Sequence, residues 1–119
     1  MLSIHIEKIG DLAIVECEGQ IAKSDAAFKL RQAVMSEPGS AIIVIDLSEV
    51  HAIEDGGLGI LSGLQRWAEE ERIQLKFFNP SSSVRSRLEH NESVKFHIAP
   101  FQEMITLLRI AEGLHSRAA

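Results

Sequence analysis

The residues most able to do chemistry in this chain lie close together, between positions 45 and 59 of its 119 residues. This stretch reads IDLSEVHAIEDGGLG. It leaves an apolar strand, crosses a short connection and enters a helix whose first turn is rich in glycine. In open α/β sheets, ligands and partners bind where the carboxyl ends of strands lead into helix N-termini. Glycines there expose backbone N–H groups and allow a phosphate or another backbone to approach closely. The stretch is therefore the candidate functional site.

The spacing of these residues excludes several kinds of chemistry. No Gly-Lys-Ser/Thr follows the glycines, and their order is not that of a dinucleotide-binding loop. His51, Glu54 and Asp55 lie in one short loop, without the helical spacing or the second-strand partner that a divalent-metal site needs. Ser48 precedes His51 by three residues, which rarely sets the geometry of a nucleophile and its base. We expect no metal, no cofactor and no catalytic residue, and therefore no enzyme.

The residues alone leave two interpretations of the helix start open. In the structural one, Asp55 is the N-cap of the helix, and Gly59 and Gly63 allow the helix to pack closely on the sheet. In the functional one, the helix N-terminus carries a binding surface. Both interpretations place the same residues at the end of the most buried strand.

The composition is that of one ordinary globular domain. Hydrophobic residues make up 45% of the chain and charged residues 24%. The net charge of −5 disfavours nucleic acid, whose phosphates attract clustered Lys and Arg. Cys17 is the single cysteine, so there is no internal disulfide, and no stretch approaches the roughly 20 apolar residues of a membrane span. The chain begins without a secretory signal, and we expect a cytoplasmic protein that does not insert into a membrane.

Hydrophobic periodicity predicts the elements that hold the candidate site. Residues 2–6 alternate, Gly10 and Asp11 suit a hairpin turn, and the second strand places Cys17 on its core face. Residues 41–47 are apolar and largely β-branched, which is typical of a strand buried on both faces. Helical spacing precedes and follows that strand, over residues 25–35 and 56–71. Alternation at Ile73, Leu75 and Phe77 predicts the next strand. We expect Ser24 to start the first of these helices, Pro38 and Gly39 to end it, and a serine among Ser81, Ser82 and Ser83 to cap a later, short one.

The C-terminal part predicts one more strand and one more helix. Alternation at Val94, Phe96 and Ile98 predicts the strand. A helix follows Pro100, and its expected core residues are Phe101, Met104, Ile105, Leu108 and Ala111. Gly113 is expected to end that helix, which gives a domain over residues 1–113 and a C-terminal tail over 114–119. The predicted order is ββαβαβαβα, an α/β fold in which parallel crossovers follow an antiparallel hairpin.

Two segments resemble a known family, the STAS domain, named for sulphate transporters and anti-sigma-factor antagonists. They read VIDLSEVHAIEDGGLGILSGLQRWAEE and LKFFNPSSSVRSRLE. The family pattern has a hydrophobic strand ending in Asp-Leu-Ser, then Ile-Asp-Ser-Ser-Gly-Leu-Gly, a helix and a strand ending in Asn-Pro. The resemblance is strongest over residues 42–88. It implies a single domain with a mixed β-sheet and helices mainly on one face.

The chain departs from the family pattern at the helix start. Glu54 stands where the family usually has Asp, and Asp55 where Ser or Thr is common. Gly56 occupies the position of the serine that a partner kinase phosphorylates in the family's antagonists. Because glycine has no hydroxyl group, we expect no phosphorylation at this position. Asp55 adds a permanent carboxylate beside it, which either changes the field met by a partner or only stabilises the helix start, by roughly 0.3–1 kcal/mol.

The resemblance implies a non-enzymatic protein–protein interaction module. Its partner would be an anti-sigma factor or a related serine kinase with an ATP-binding domain. The contact would centre on residues 54–58, hereafter the junction: Glu54, Asp55, Gly56, Gly57 and Leu58. Two alternatives remain, an accessory subunit of a membrane transporter and a domain that senses a small molecule or nucleotide. We expect a monomer or a weak dimer.

Overall fold

The computed structural model describes residues 2–22, 25–36 and 39–118, which form five strands and four helices in the predicted order. The strands are β1 (Leu2–Ile9), β2 (Leu12–Ile21), β3 (Ile42–Ile53), β4 (Gln74–Phe78) and β5 (Ile98–Ala99). The helices are α1 (Asp25–Met35), α2 (Asp55–Glu70), α3 (Ser82–Glu89) and α4 (Phe101–Ala118). The expected cap at Ser24 and helix stop at Pro38 lie outside the described residues.

The strands form one mixed sheet in the order β1-β2-β3-β4-β5. β1 and β2 are antiparallel, and the other neighbours are parallel. The hairpin turn uses Gly10 with a φ of 58°, a left-handed conformation that glycine adopts without steric cost. The mixed sheet with an N-terminal hairpin and parallel crossovers confirms the predicted fold class.

Helices cover both faces of the sheet, three on one side and one on the other. The main core lies between the sheet and α1, α2 and α3, and their buried contributions include Leu30, Leu61 and Val84. On the opposite face, Met104 of α4 packs with a smaller cluster that includes Val44. The first half of β3 alternates between the two clusters, so it is buried on both faces, as its unbroken apolar run predicts.

β3 is longer than the sequence pattern predicts. Residues 48–53 were expected to be a connection, but they continue the strand to Ile53 and pair with the end of β2. The register between β2 and β3 shifts twice, between Glu16 and Glu18 and between Gly19 and Gln20. These irregularities break the period of two, so a polar stretch that reads as a loop remains strand and buries Val50 and Ile53.

The expectations for the last strand and for the start of α4 are wrong. The last strand is only two residues long, because Val94 and Phe96 pack on the core from an irregular segment that does not pair with β4. The Phe96 ring meets Phe77 edge-on, with centroids 5.1 Å apart. Phe101, expected in the core, is 66% exposed at the first turn of α4. Periodicity identifies a helical face but does not reveal where along the helix that face meets the sheet.

Gly113 does not end α4, which continues to Ala118. A glycine inside a helix costs about 1 kcal/mol relative to alanine but stops the helix only when it adopts a left-handed conformation. Gly113 is outside that region, whereas Gly39, within the α1–β3 connection, has a φ of +85°. None of the helices in the described part of the chain is long and apolar enough to cross a membrane.

Candidate functional site

The junction begins where β3 leaves the sheet and α2 starts. Glu54 has extended backbone angles and precedes the helix, and its carbonyl accepts the first helical hydrogen bond from the Leu58 N–H at 2.8 Å. The Glu54 N–H donates to the carbonyl of Ile21 at 2.9 Å. The end of β2 therefore fixes the position from which α2 departs.

Gly57 is required by the close approach of α2 to β2. A Cβ atom at this position would lie 2.3 Å from the carbonyl oxygen of Ile21, closer than any real contact. The residue is buried, and its φ is outside the left-handed region. Its role is thus steric, because only a residue without a side chain lets the first turn of α2 rest on the end of β2.

Gly59 and Gly63 have the opposite environment, which corrects the expectation that they pack against the sheet. Both are exposed, and a Cβ atom at either would meet no atom within 4 Å. They face an open groove of about 450 Å³ between α1 and α2, hereafter the α1–α2 groove. Its lining residues are Phe28, Arg31, Gly56, Gly59, Ile60 and Gly63.

The two carboxylates of the junction are both hydrogen-bonded. Glu54 accepts a hydrogen bond from the side-chain amide of Gln20 at 2.7 Å. Asp55 pairs with the guanidinium of Arg87 on α3 at 2.5 Å, although the Asp55 side chain is 95% exposed. Asp55 is therefore not the N-cap that the sequence suggests. It is the first residue of α2, and the N-cap position falls to Glu54, whose side chain makes no capping bond.

Arg87 sets the electrostatics beside the junction. An Asp–Arg pair in contact carries no net charge, so the permanent carboxylate at Asp55 is largely offset. The pair is solvent-exposed and contributes at most about 1 kcal/mol to stability. Among the described residues, no group of three or more His, Cys, Asp or Glu side chains could hold a metal ion. His51, Glu54 and Asp55 therefore do not form such a group.

The residues that carry the family resemblance have a structural role beside the site. Asp46 accepts hydrogen bonds from the N–H of Ser48 at 2.9 Å and from its hydroxyl group at 2.5 Å. The side-chain amide of Asn79 donates to the Ser48 hydroxyl at 3.1 Å, and Asn79 has a φ of 54°. The Asp-Leu-Ser and Asn-Pro motifs thus join β3 to the connection between β4 and α3. Ser81 then caps α3, as predicted, by accepting from the N–H of Val84.

Cys17 is a core residue, as its position on β2 predicts. Its thiol is buried, and burial, aided by the nearby Asp46 carboxylate, raises its pKa to about 12. Because the thiolate is the reactive form, this thiol is inert at neutral pH.

Sequence reasoning missed several residues around the junction. Gln20 and Arg31 gave no signal, because nothing local relates them to the start of α2. Phe28 gave no signal either: it lies on α1, is 47% exposed and borders the α1–α2 groove. Trp67, by contrast, packs half-buried against the main core.

A model of one protein family, described as the STAS domain, matches residues 3–115. The unphosphorylated form of SpoIIAA, an anti-sigma factor antagonist of Bacillus, has a TM-score of 0.72 at 17% identity, with 90% of this chain and 96% of SpoIIAA covered. An anti-sigma factor antagonist from Mycobacterium paratuberculosis has a TM-score of 0.68 at 19% identity, with 92% and 95% covered.

The murine anion transporter Slc26a9 is also similar, with a TM-score of 0.66 at 16% identity. The match covers 87% of this chain but only 18% of the transporter. No curated protein sequence matches the chain significantly. Because the family model spans nearly the whole chain and the sheet and helix order agree with it, the chain belongs to the STAS domain family.

Proposed function

We propose that this protein is a partner-switching module that binds an anti-sigma factor or a related serine kinase through the junction and the adjoining α1–α2 groove. One observation carries the proposal. Gly59 and Gly63 keep one face of α2 free of side chains, although no atom of the protein lies close enough to exclude a larger residue there. The exposed Phe28 lies beside this face. A partner side chain can fill such an apolar recess, which is the usual way in which interface anchors are bound.

The charges at this surface favour a partner that carries an acidic group. Arg31 lines the α1–α2 groove, and no ion pair links it to the rest of the described chain. Gly56 also lines the groove, and the carboxylate of the adjacent Asp55 is offset by Arg87. An acidic side chain of the partner would therefore meet Arg31 without a strong opposing field.

Regulation would differ from that implied by the family's phosphorylated serine. Gly56 provides no hydroxyl group, and the Asp55 carboxylate is paired rather than free to imitate a phosphate. Of the two roles considered for Asp55, its ion pair favours the structural one. The protein would then bind its partner whenever both are present, with the abundance of either protein controlling the complex.

The test begins by capturing the partner from the native organism with the tagged protein and identifying it by mass spectrometry. Titration calorimetry then compares Gly56→Glu with Gln102→Glu, which adds the same charge on the exposed face of α4. Gly56→Glu should weaken binding more than about tenfold, or 1.4 kcal/mol, because it adds a carboxylate at the centre of the contact. Unchanged affinity in a folded Gly56→Glu variant would show that the junction is not the interface.

The likeness to the domain of the anion transporter supports a second candidate, an accessory domain of a membrane transporter. The same capture experiment separates the two candidates. A kinase with an ATP-binding domain supports partner switching, whereas recovery of a transport protein supports the second candidate and contradicts the first.

A further inference from the structure

The outer edge of β1 is long and regular. β1 is the first strand of the sheet, and within the described residues it pairs only with β2. It has eight residues, Leu2–Ile9, and contains neither proline nor glycine. Its register with β2 has no shift, unlike that between β2 and β3. Sheets usually protect such edges with short strands, bulges or proline, because unpaired N–H and C=O groups accept another strand.

The other edge of the sheet has two protective features that β1 lacks. β5 has two residues and is followed at once by Pro100. A strand this short, ended by a residue without an N–H group, is a poor template for pairing. If the sheet gains a strand, it therefore gains it at β1.

The apolar face of β1 is only partly buried. Ile4 and Ile6 pack against the main core but are only half-buried. The alternate residues Ser3, His5 and Glu7 are exposed on the other face. Because side chains on one face of neighbouring strands lie side by side, a further strand would cover the two isoleucines at the margin of the core.

We propose that β1 pairs with β1 of a second copy, antiparallel about a two-fold axis at His5, so that two sheets join into one of ten strands. This register places Ile4 beside Ile6 of the second copy, and by symmetry Ile6 beside Ile4. All four half-buried isoleucines then contact one another across the axis.

The remaining pairs in this register are compatible. Ser3 faces Glu7 of the second copy, and Leu2 faces Lys8, so no two charged side chains of the same sign meet. A shift of one residue is disfavoured, because it would place the isoleucines of one copy beside the polar side chains of the other. A shift of two residues in one direction would place Ile4 beside Lys8 and leave a single isoleucine pair. A shift of two in the other direction would pair Ile6 with Leu2, which is already buried, and would shorten the paired stretch from residues 2–8 to residues 2–6. The axis at His5 is therefore the favoured register.

Pairing at this edge leaves the proposed binding surface accessible. β2 separates β1 from β3, which leads into the junction. A dimer joined at β1 would carry two junctions, and its existence does not depend on what the junction binds.

Cysteine cross-linking tests both the contact and its register. Directly opposed residues of an antiparallel pair have Cα atoms about 4.5–5.5 Å apart, within the range of about 4.4–6.8 Å that a disulfide spans. The native Cys17 is buried and unreactive, so it provides a silent background. His5→Cys should form disulfide dimers with itself under mild oxidation. Ser3→Cys and Glu7→Cys should do so when mixed, whereas Glu7→Cys alone should not, because its two copies would lie about 13 Å apart along the strands.

Sedimentation velocity over a concentration series gives an independent measurement on the unmodified protein. We expect a reversible dimer. His5→Glu, which places two carboxylates at the axis, should raise its dissociation constant at least tenfold, while Gln102→Glu should leave it unchanged. A protein that stays monomeric throughout the series overturns the proposal, as does cross-linking of Glu7→Cys alone as fast as that of His5→Cys.

Discussion

Gly57 and Gly59, two positions apart on α2, should respond in opposite ways to an added methyl group. Gly57→Ala forces its Cβ against the backbone of Ile21 and should lower the free energy of unfolding by about 1–3 kcal/mol, the usual cost of overpacking. Gly59→Ala meets no neighbour and should raise it by up to about 1 kcal/mol, because alanine favours the helix. Urea unfolding of the two variants measures both effects. A Gly57→Ala protein as stable as the parent would contradict the steric role given to this glycine.

The missing hydroxyl group at Gly56 leads to a second expectation at the scale of the residue. Incubation with the cognate kinase and ATP should leave residues 48–62 without phosphate, as mapped by mass spectrometry. Gly56→Ser should fold normally and regain the acceptor. Stoichiometric phosphate on Ser48 of the parent protein would be inconsistent with this account, because its hydroxyl group already bonds to Asp46 and Asn79.

Single residues were the least predictable part of the site. The sequence shows that Asp55 starts a helix. A local pattern cannot reveal that the Asp55 carboxylate forms an ion pair with Arg87, 32 residues later. The environments of Gly57 and Gly59 were likewise indistinguishable, because which one faces β2 depends on the exit angle of α2. Cys17 was predictable, since its strand alternation alone places it in the core.

At the scale of elements, α4 is joined to the sheet by a small charged cluster. Glu103, in the first turn of α4, pairs with Lys76 of β4 at 2.9 Å and lies 2.9 Å from the ring of His97. The hydrogen bond from Lys76, with a smaller effect of His97, lowers the pKa of the Glu103 carboxyl group below its usual value of 4.5. The ionised form is therefore favoured by folding.

A carboxyl group whose pKa falls on folding stabilises the protein above its unfolded pKa, and this contribution disappears as the pH drops through the folded value. Glu103→Gln should therefore cost about 1 kcal/mol at pH 7 and progressively less below pH 4.5. Glu112→Gln, on the same helix and exposed, serves as the control. Urea unfolding across this pH range gives the comparison, and a cost for Glu103→Gln that does not depend on pH would refute the role of the ion pair.

Element types were predictable, but several element ends were not. Strong periodicity identified every helix and strand in the right order. The extension of β3 to Ile53 depends on shifts in its register with β2, and a single strand read in isolation does not show them. The shortness of β5 has the same origin, because pairing with β4 decides how much of an alternating run becomes strand.

At the scale of the whole molecule, the two proposed contact regions are separate. The junction and the α1–α2 groove lie where β3 leads into α2, whereas the dimer edge is the free side of β1. The fold class follows from the sequence because the alternation of strands and helices permits few arrangements. The α1–α2 groove does not, since it arises only when α1 and α2 pack side by side over the sheet.

If the open face of α2 binds a protein partner, filling the α1–α2 groove should block that binding. Gly59→Leu adds a side chain where no neighbour stands, and Gly113→Leu makes the same change on α4 at an equally open position. Both variants should unfold at a higher temperature than the parent, because leucine favours the helix more than glycine does. Titration calorimetry against the captured partner should then show at least tenfold weaker binding for Gly59→Leu and unchanged binding for Gly113→Leu. Equal affinity of both variants would contradict the proposed binding.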